Sequence, residues 1–318
     1  MLETPGTSVS SATRARNKYE MIKTVWETYP EDTPSFKLMK EEADLSNISF
    51  PCVLKPISSS GAKGIYYAEN EKQMKDAFYG LINLGKEGHD QWNYNRYGLH
   101  FLCKSYLSDQ EVSVAGVVVN EECYITGIGD KKVTEPWFTE YQYIFQTRLN
   151  DEVKIEIEKA TYNIVNVLGL KNTPFHLEAR WTKDGFKFIE IAARIRGGVT
   201  TTHIVSNALG INWIKNVVSA LINNEVVEIP KVKTYTGIHY SIATQAGRLK
   251  HYEYPEDLRH SKAFLHAKYL IKNGDIVLLP PEDFSYLLLG YILAKGENYS
   301  EVANFFKKVS EETMIEVE

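Results

Sequence analysis

Two glutamates on a predicted β-hairpin are the residues of this chain whose type and spacing best suit chemistry. The segment 175–198, FHLEARWTKDGFKFIEIAARIRGG, begins with strict alternation of apolar and polar residues, the pattern of a strand with one buried face. Turn-forming residues follow at 183–185, and a second apolar stretch comes after them. If the loop has these three residues, Glu178 lies directly opposite Glu190. If it has only the last two, Glu178 faces Ile191.

Opposed carboxylates repel each other, so we expect a cation between Glu178 and Glu190. Carboxylate oxygens, together with the oxygens of a bound phosphate, are the ligands that Mg²⁺ prefers, and Mn²⁺ is the alternative metal. The hairpin therefore predicts a metal site, and the competing interpretation is a surface hairpin with scattered acids. A metal site also implies repulsion in the metal-free protein, so that Glu190→Gln should leave metal-free stability unchanged or slightly raised.

A lysine followed by a loop of small residues is the second candidate. Lys55 ends an apolar run, and SSSGAKG follows at 58–64. Small residues let backbone N–H groups approach a polyphosphate closely, although the GxxxxGK[ST] pattern of a Walker A loop is absent. A mobile hairpin loop is the alternative interpretation. The loop residues that are candidates for phosphate binding are Ser58, Ser59, Ser60, Gly61 and Gly64.

The composition is that of an ordinary globular protein. The 318 residues are 43% hydrophobic and 24% charged, with a formal net charge of −5, and the length allows two or three domains. An acidic chain argues against nucleic acid as a partner. The sequence has no run of about 18 apolar residues, so we expect no membrane partner and a cytoplasmic protein. Cys52, Cys103 and Cys123 lack the spacing of a zinc site or a disulfide framework.

Periodicity divides the rest of the chain into helices and strands. Residues 1–12 are rich in Ser, Thr, Gly and Pro and predict a linker or tail. We expect one amphipathic helix over 14–29, a polar surface segment over 86–96 and an aromatic loop over 131–143. The other predicted helices are 71–84, 150–168, 212–223 and 301–312, and the other predicted strands lie at 49–56, 65–68, 100–107, 111–119, 123–129 and between 235 and 283.

In their order and spacing, these residues resemble the ATP-grasp family of enzymes over nearly the whole chain. Lys18, before an amphipathic helix, resembles the first ATP-binding lysine of that family, and Lys55 with its loop resembles the second lysine and the phosphate-covering loop. Glu111 resembles the glutamate that holds the ribose hydroxyls. The stretch that resembles the adenine-reading strand is Lys104, Ser105, Tyr106 and Leu107.

The hairpin resembles the catalytic end of the same family. Glu178 and Glu190 fall on the two metal-binding acids, and Arg194 falls on the arginine four residues after the second acid. EIAARIRGG and the C-terminal part most resemble the carboxylate–amine ligases. Two positions depart from the pattern: Lys104 stands where an acid is common, and Ala192 where a metal-binding Asn is common. These ligases usually also have an N-terminal α/β domain, which would end roughly where this chain begins.

The resemblance implies an α+β ATP-grasp fold in which two α+β subdomains grip ATP. The expected parts are a linker and helix over 1–39, a small subdomain with the phosphate-covering loop over 40–105, and a large subdomain over 106–318. The large subdomain would hold the acid hairpin and a strand-rich C-terminal region. A homo-oligomer or a partner chain could supply the contacts of the N-terminal domain.

The resemblance also implies an ATP-dependent ligase that joins a carboxylate, such as an amino acid, to an amine or a thiol through an acyl phosphate. Arg194 would fit a carboxylate or acyl phosphate with two hydrogen bonds. Arg196 is a weaker candidate that could be merely solvated, and His176 is either a base for the amine or a structural histidine. The alternatives are a nucleotide-binding subunit that needs a partner for catalysis and a bicarbonate-using carboxylase.

Overall fold

Antiparallel sheets with helices packed on them make up the computed structural model, which describes residues 6–87, 91–284 and 287–318. In chain order, the strands are β1 (Phe36–Met39), β2 (Cys52–Pro56), β3 (Tyr66–Ala68), β4 (Phe101–Ser105), β5 (Gln110–Val119), β6 (Glu122–Val133), β7 (Glu140–Phe145), β8 (Thr173–Thr182), β9 (Gly185–Ala192), β10 (Tyr235–Ile242), β11 (Gly247–Glu253), β12 (Phe264–Tyr269), β13 (Ile276–Val277), β14 (Leu288–Gly296) and β15 (Met314–Val317). The helices are α1 (Val9–Arg16), α2 (Lys18–Trp26), α3 (Glu71–Glu87), α4 (Gln91–Tyr97), α5 (Asp151–Val167), α6 (Ser206–Leu209), α7 (Trp213–Asn223), α8 (Glu256–Arg259) and α9 (Tyr299–Glu312).

A four-stranded sheet, in the order β1-β4-β2-β3, is the framework of a small α+β subdomain. α3 packs on this sheet because its apolar residues recur at steps of three and four along one face of the helix. The sheet includes Phe36–Met39, so it begins before residue 40, where the sequence placed the start of this subdomain. The buried residues that α3 contributes to the core are Met74, Ala77, Phe78 and Leu81.

An eight-stranded sheet, in the order β12-β14-β10-β7-β6-β5-β8-β9, separates two hydrophobic cores. Val118 and Val119 are neighbours on β5 and lie in different cores, because successive side chains of a strand point to opposite faces. Ile164 of α5 belongs to the first core, and Val217 of α7 belongs to the second. A third sheet, β13-β11-β15, lies near α9 in the C-terminal part. The fold is therefore α+β, as expected.

The N-terminal part differs from the expected single helix over 14–29. Asn17 has extended backbone angles, φ −92° and ψ 108°, and separates α1 from α2. Its side-chain oxygen accepts hydrogen bonds from the N–H groups of Tyr19 and Glu20, which caps α2. α1 begins at Val9, so the linker predicted for residues 1–12 is wrong from that residue on, and residues 1–5 lie outside the described part.

Two further segments contain more regular secondary structure than was predicted. The segment 131–143 was expected to be an aromatic loop, but β6 continues to Val133 and β7 begins at Glu140, so that only the residues between them form a loop. In the polar segment 86–96, α4 begins at Gln91, whereas residues 88–90 lie outside the described part. The predicted helices at 71–84, 150–168, 212–223 and 301–312 are confirmed within a few residues of their ends.

The lengths and the apolar content of the helices bear on the expectation about membranes. In the described ranges, none of them combines the length and the apolar character that a membrane span needs.

We predict that Asn17→Ala lowers the free energy of unfolding by about 1 kcal/mol, because the N-terminal N–H groups of α2 lose their cap. Chemical denaturation measures this difference. Asn166→Ala is the matched control, since Asn166 is exposed within α5 and alanine is the better helix former. Equal stability of the two variants would show that Asn17 does not stabilise the helix boundary.

Candidate active site

The loop that joins β8 and β9 is shorter than the three-residue loop expected from the sequence. Thr182 pairs with Gly185, so that only Lys183 and Asp184 lie in the loop. Gly185 has a φ of 86°, a left-handed conformation that glycine adopts without strain. The Thr182 hydroxyl accepts a hydrogen bond from the Asp184 N–H and closes the turn. Neither of the two loops considered from the sequence is therefore present.

A β-bulge nevertheless brings the two acids face to face. If the register set by the loop continued, Glu178 would face Ile189, and Glu190 would point to the opposite side of the sheet. Instead the register shifts by one residue between Ala179 and Glu178, and Glu178 pairs with Glu190. The prediction that the two acids face each other is confirmed, although the three-residue loop on which it depended is wrong.

Lysine side chains neutralise both acids. Glu190 Oε2 lies 3.2 Å from Lys55 Nζ and 3.5 Å from Lys18 Nζ, and Glu178 Oε1 lies 2.9 Å from Lys131 Nζ. Burial alone would raise the pKa of each carboxyl group. At Glu190 the charges of Lys18 and Lys55 outweigh burial and lower the pKa, and at Glu178 the charge of Lys131 is the main cause that holds the pKa at about 2. The repulsion expected in the metal-free protein is therefore offset by these cations.

Lys131 lies at the centre of the charge cluster and was not among the predicted site residues, because it fell in a predicted loop. Its Nζ is 2.7 Å from Oε1 of Glu111 and 3.6 Å from Oε2 of Glu140, in addition to Glu178. The side chain is only 5% exposed. Burial would lower the pKa of this ammonium group, but the three carboxylates outweigh burial and raise it. Lys131 is therefore a permanent cation of the site.

The two arginines that follow Glu190 have different surroundings. Arg196 is buried, binds the carboxylate of Glu140 through Nη2, and donates from Nη1 to the Ser113 hydroxyl at 2.9 Å. Its guanidinium also lies 4.0 Å from the centre of the Tyr143 ring. Arg196 is thus held within the protein rather than solvated. Arg194 is exposed at the cleft, and in the described ranges no carboxylate lies within 4 Å of it.

His176 is buried on the same face as the acids. Its Nε2 lies 2.9 Å from the Ser113 hydroxyl and 3.6 Å from Oε1 of Glu178. Burial, followed by the charge of Arg196, lowers the pKa of His176 to about 3. The imidazole is therefore neutral near pH 7 and is a weak base. This environment favours the structural interpretation of His176 over the role of a base for the amine.

Most of the candidate nucleotide-binding residues line the same cleft. Lys18 Nζ donates a hydrogen bond to the Ser59 carbonyl at 2.6 Å, which links the start of α2 to the loop at 58–64. Glu111 is held by Arg180 through two hydrogen bonds of 3.1 and 3.2 Å. Lys104 is buried, and its Nζ donates to backbone carbonyls of β9. Burial, followed by the charge of Lys55, lowers the pKa of Lys104.

One cleft of about 580 Å³ collects nearly all of the predicted site residues. Of the seventeen candidates, Ser58 and Gly64 are not in its lining. Among the described lining residues, eight are lysines or arginines and four are glutamates, an excess of four positive charges that suits a polyphosphate. The predicted residues that line the cleft are Lys18, Lys55, Ser59, Ser60, Gly61, Lys104, Ser105, Tyr106, Leu107, Glu111, His176, Glu178, Glu190, Arg194 and Arg196.

The two facing acids fit a magnesium ion that is shared with a nucleotide. No group of three or more His, Cys, Asp or Glu side chains suited to a metal occurs in the described part of the chain. Mg²⁺ sites of nucleotide enzymes need only one or two protein carboxylates, because phosphate and water oxygens complete the coordination. Glu178 and Glu190 supply such a pair in the cleft that Ser59, Ser60 and Gly61 also line. Ala192 offers no oxygen ligand from its side chain.

The charged cleft lies in a fold of antiparallel sheets and packed helices, and comparison with known proteins identifies the class of that fold. Residues 48–203 match the model of the ATP-grasp domain. The chain therefore carries an ATP-grasp domain and adopts the ATP-grasp fold.

Individual proteins from several kinds of enzyme are similar to this chain. Dapdiamide A synthase of Enterobacter agglomerans is 28% identical over 175 residues, which cover 55% of this chain and 40% of that protein. The L-amino acid ligase from Bacillus licheniformis has a TM-score of 0.82 at 21% identity, over 99% of this chain and 75% of that chain. Biotin carboxylase from Campylobacter jejuni has a TM-score of 0.67 at 14% identity, over 98% and 69% of the two chains. The two structural matches establish the fold.

We predict that Glu190→Gln destabilises the metal-free protein by about 1–3 kcal/mol, because Lys18 and Lys55 lose the charge that compensates their burial. This is the opposite of the expectation from the sequence. Thermal melts in EDTA measure the effect. Glu316→Gln, on the exposed strand β15, is the matched control and should change stability by less than about 0.5 kcal/mol. A Glu190→Gln variant that melts at or above the parent temperature would contradict the ion-pair assignment.

Proposed function

We propose that the protein is an ATP-dependent ligase that joins a carboxylate to an amine and releases ADP and phosphate. The observation that carries this proposal is the pair Glu178 and Glu190, which face each other in a cleft whose described lining has four more positive than negative side chains. The family match and the similarity to the dapdiamide A synthase and the L-amino acid ligase support an amino acid or a related acid as the carboxylate substrate.

In the first step, a carboxylate oxygen of the substrate attacks the γ-phosphorus of ATP. The bond from this phosphorus to the bridging oxygen breaks, which forms an acyl phosphate and ADP. Lys18 and Lys55 stabilise the negative charge that spreads over the phosphoryl oxygens. Mg²⁺ held by Glu178 and Glu190 would neutralise phosphate charge when bound. Because lysines already neutralise both acids, the site is preorganised in its ionised form.

In the second step, the amine attacks the carbonyl carbon of the acyl phosphate, and the C–O bond to phosphate breaks. Arg194 is exposed in the cleft, and its planar guanidinium can bind the carboxylate and then the acyl phosphate through two hydrogen bonds. The amine loses a proton when the amide forms. Since the pKa of His176 is lowered to about 3, the departing phosphate is the better acceptor for this proton.

Phosphate release tests the reaction directly. The purified chain is incubated with Mg·ATP and a panel of amino acids, singly and in pairs. We expect ADP and phosphate in equal amounts and a product joined by an amide bond, detected by mass spectrometry. Phosphate release that depends on bicarbonate alone would instead identify a carboxylase. ATP binding without turnover for any pair would identify a nucleotide-binding subunit.

We predict that Lys55→Met weakens ATP binding about 10–100-fold, because a hydrogen bond from a charged group contributes about 1.5–3 kcal/mol. The fold should persist, since Lys18 still pairs with Glu190. Calorimetric titration with ATP measures the affinity. Lys72→Met is the control, because Lys72 is exposed on α3 and pairs with Asp76 away from the cleft. Equal ATP affinities of the two variants would remove Lys55 from the phosphate site.

We predict that Arg194→Lys lowers turnover about 100-fold and leaves ATP affinity nearly unchanged, because lysine keeps the charge and loses the planar pair of donors. Steady-state phosphate release measures turnover. Arg196→Lys is the matched comparison: Arg196 binds Glu140 inside the protein, so that variant should also lose thermal stability. Turnover of Arg194→Lys close to that of the parent would reduce Arg194 to a general counter-charge.

A further inference from the structure

β9 is the last strand in the order of the eight-stranded sheet, so one side of its backbone has no neighbouring strand. Buried backbone carbonyls need hydrogen-bond partners from elsewhere. Lys104 supplies them: its Nζ donates to the carbonyl of Ile189 at 3.1 Å and approaches the carbonyl of Phe188 at 3.4 Å. Both carbonyls lie at the bulge, where Ile189 is the extra residue.

Lys104 comes from the other subdomain. It lies on β4 of the four-stranded sheet, and only 5% of the residue is exposed. Lys104 is the first residue of the stretch 104–107, which resembles the adenine-reading strand. The Lys104 side chain therefore joins the nucleotide side of the cleft to the bulge in the hairpin.

The bulge decides where Glu190 points. Without the extra residue, Glu190 would lie on the opposite face of the sheet, away from Glu178. A bulge interrupts the strand pairing and needs compensating hydrogen bonds to persist as a single conformation. Lys104 Nζ provides two of them next to Glu190.

We infer that Lys104 is a positioning residue, which holds the bulge at Ile189 and thereby fixes the Glu190 carboxylate for the metal–nucleotide complex. This inference rests on the proposed function for the presence of that complex. It assigns the Lys104 side chain to the backbone of β9 rather than to the base of the nucleotide.

Binding of Mn²⁺ in the presence of saturating ADP tests this role, with free Mn²⁺ measured by electron paramagnetic resonance. Groups that orient metal ligands typically change metal affinity about 10–100-fold when removed. We therefore expect Lys104→Met to bind Mn²⁺ about 10–100-fold more weakly than the parent. Affinity for ADP in EDTA should stay unchanged. Lys104→Arg keeps long donors and should recover most of the Mn²⁺ affinity.

Lys37→Met is the matched control. Lys37 lies on β1 of the same sheet, and its Nζ also donates to two backbone carbonyls, those of Asp44 at 2.6 Å and Ser46 at 3.0 Å. It is outside the lining of the cleft. This variant should lose some thermal stability and bind Mn²⁺ as the parent does.

The possible outcomes separate the inference from the proposed function. A parent protein that binds no Mn²⁺ with ADP would contradict the proposed metal–nucleotide site itself. If the parent binds Mn²⁺ and Lys104→Met binds it equally well, the positioning role is wrong. Weaker binding of metal-free ADP with unchanged Mn²⁺ affinity would assign Lys104 to the base and would also overturn the inference. If Lys104→Met does not fold, Lys104→Gln, which is polar but too short to reach both carbonyls, takes its place with the same expected loss.

Discussion

One extra residue in β9 is the constraint on which the rest of the site depends. Side chains of a strand alternate between the two faces of the sheet. A shift of the strand pairing by one residue therefore moves a side chain from the buried face to the face that lines the cleft. With the bulge at Ile189, Phe186 and Phe188 before it and Ile191 after it all pack into the same core. Glu190 then faces Glu178. The local cost of the interrupted pairing is offset by hydrogen bonds from Lys104.

Charge compensation explains why so many ionised groups can share one cleft. Each of the four glutamates in the lining has at least one lysine or arginine within 4 Å, and Lys131 contacts three of them. Buried ions are tolerated when they are paired and hydrogen-bonded, and a half-compensated cluster would be destabilising. The consequence for binding is that the acids need no further ionisation when nucleotide arrives. Arg194, which has no carboxylate partner among the described residues, is the arginine to which the proposed reaction assigns the substrate.

Some parts of the fold and of the site could be predicted from the sequence, and others could not. The alternation of Phe175, Leu177 and Ala179 with His176 and Glu178 was clear, because β8 is a regular strand with one buried face. In β9, the three-residue step from Phe188 to Ile191 is the sequence signal of the bulge, but an apolar Ile189 between them hides it. Lys131 and Glu140 could not be found in this way, because the aromatic segment between them breaks the period at the loop that joins β6 and β7. The sequence also did not show that Arg196 is held inside the protein, because its ion pair with Glu140 joins residues that are far apart along the chain.

The same strand also joins the two halves of the fold. Lys55 and Lys104 come from the four-stranded sheet and Lys18 from α2, and all three reach β9: two of them bind the carboxylate of Glu190, and one binds the carbonyls beside it. These contacts between the four-stranded sheet and β9 are therefore also contacts that position Glu190. In the proposed reaction, a polyphosphate that enters between these lysines and the hairpin competes with Glu190 for Lys18 and Lys55. A cation on Glu190 would then replace the charge that the lysines transfer to the phosphates, which couples metal binding to nucleotide binding without any change in the fold.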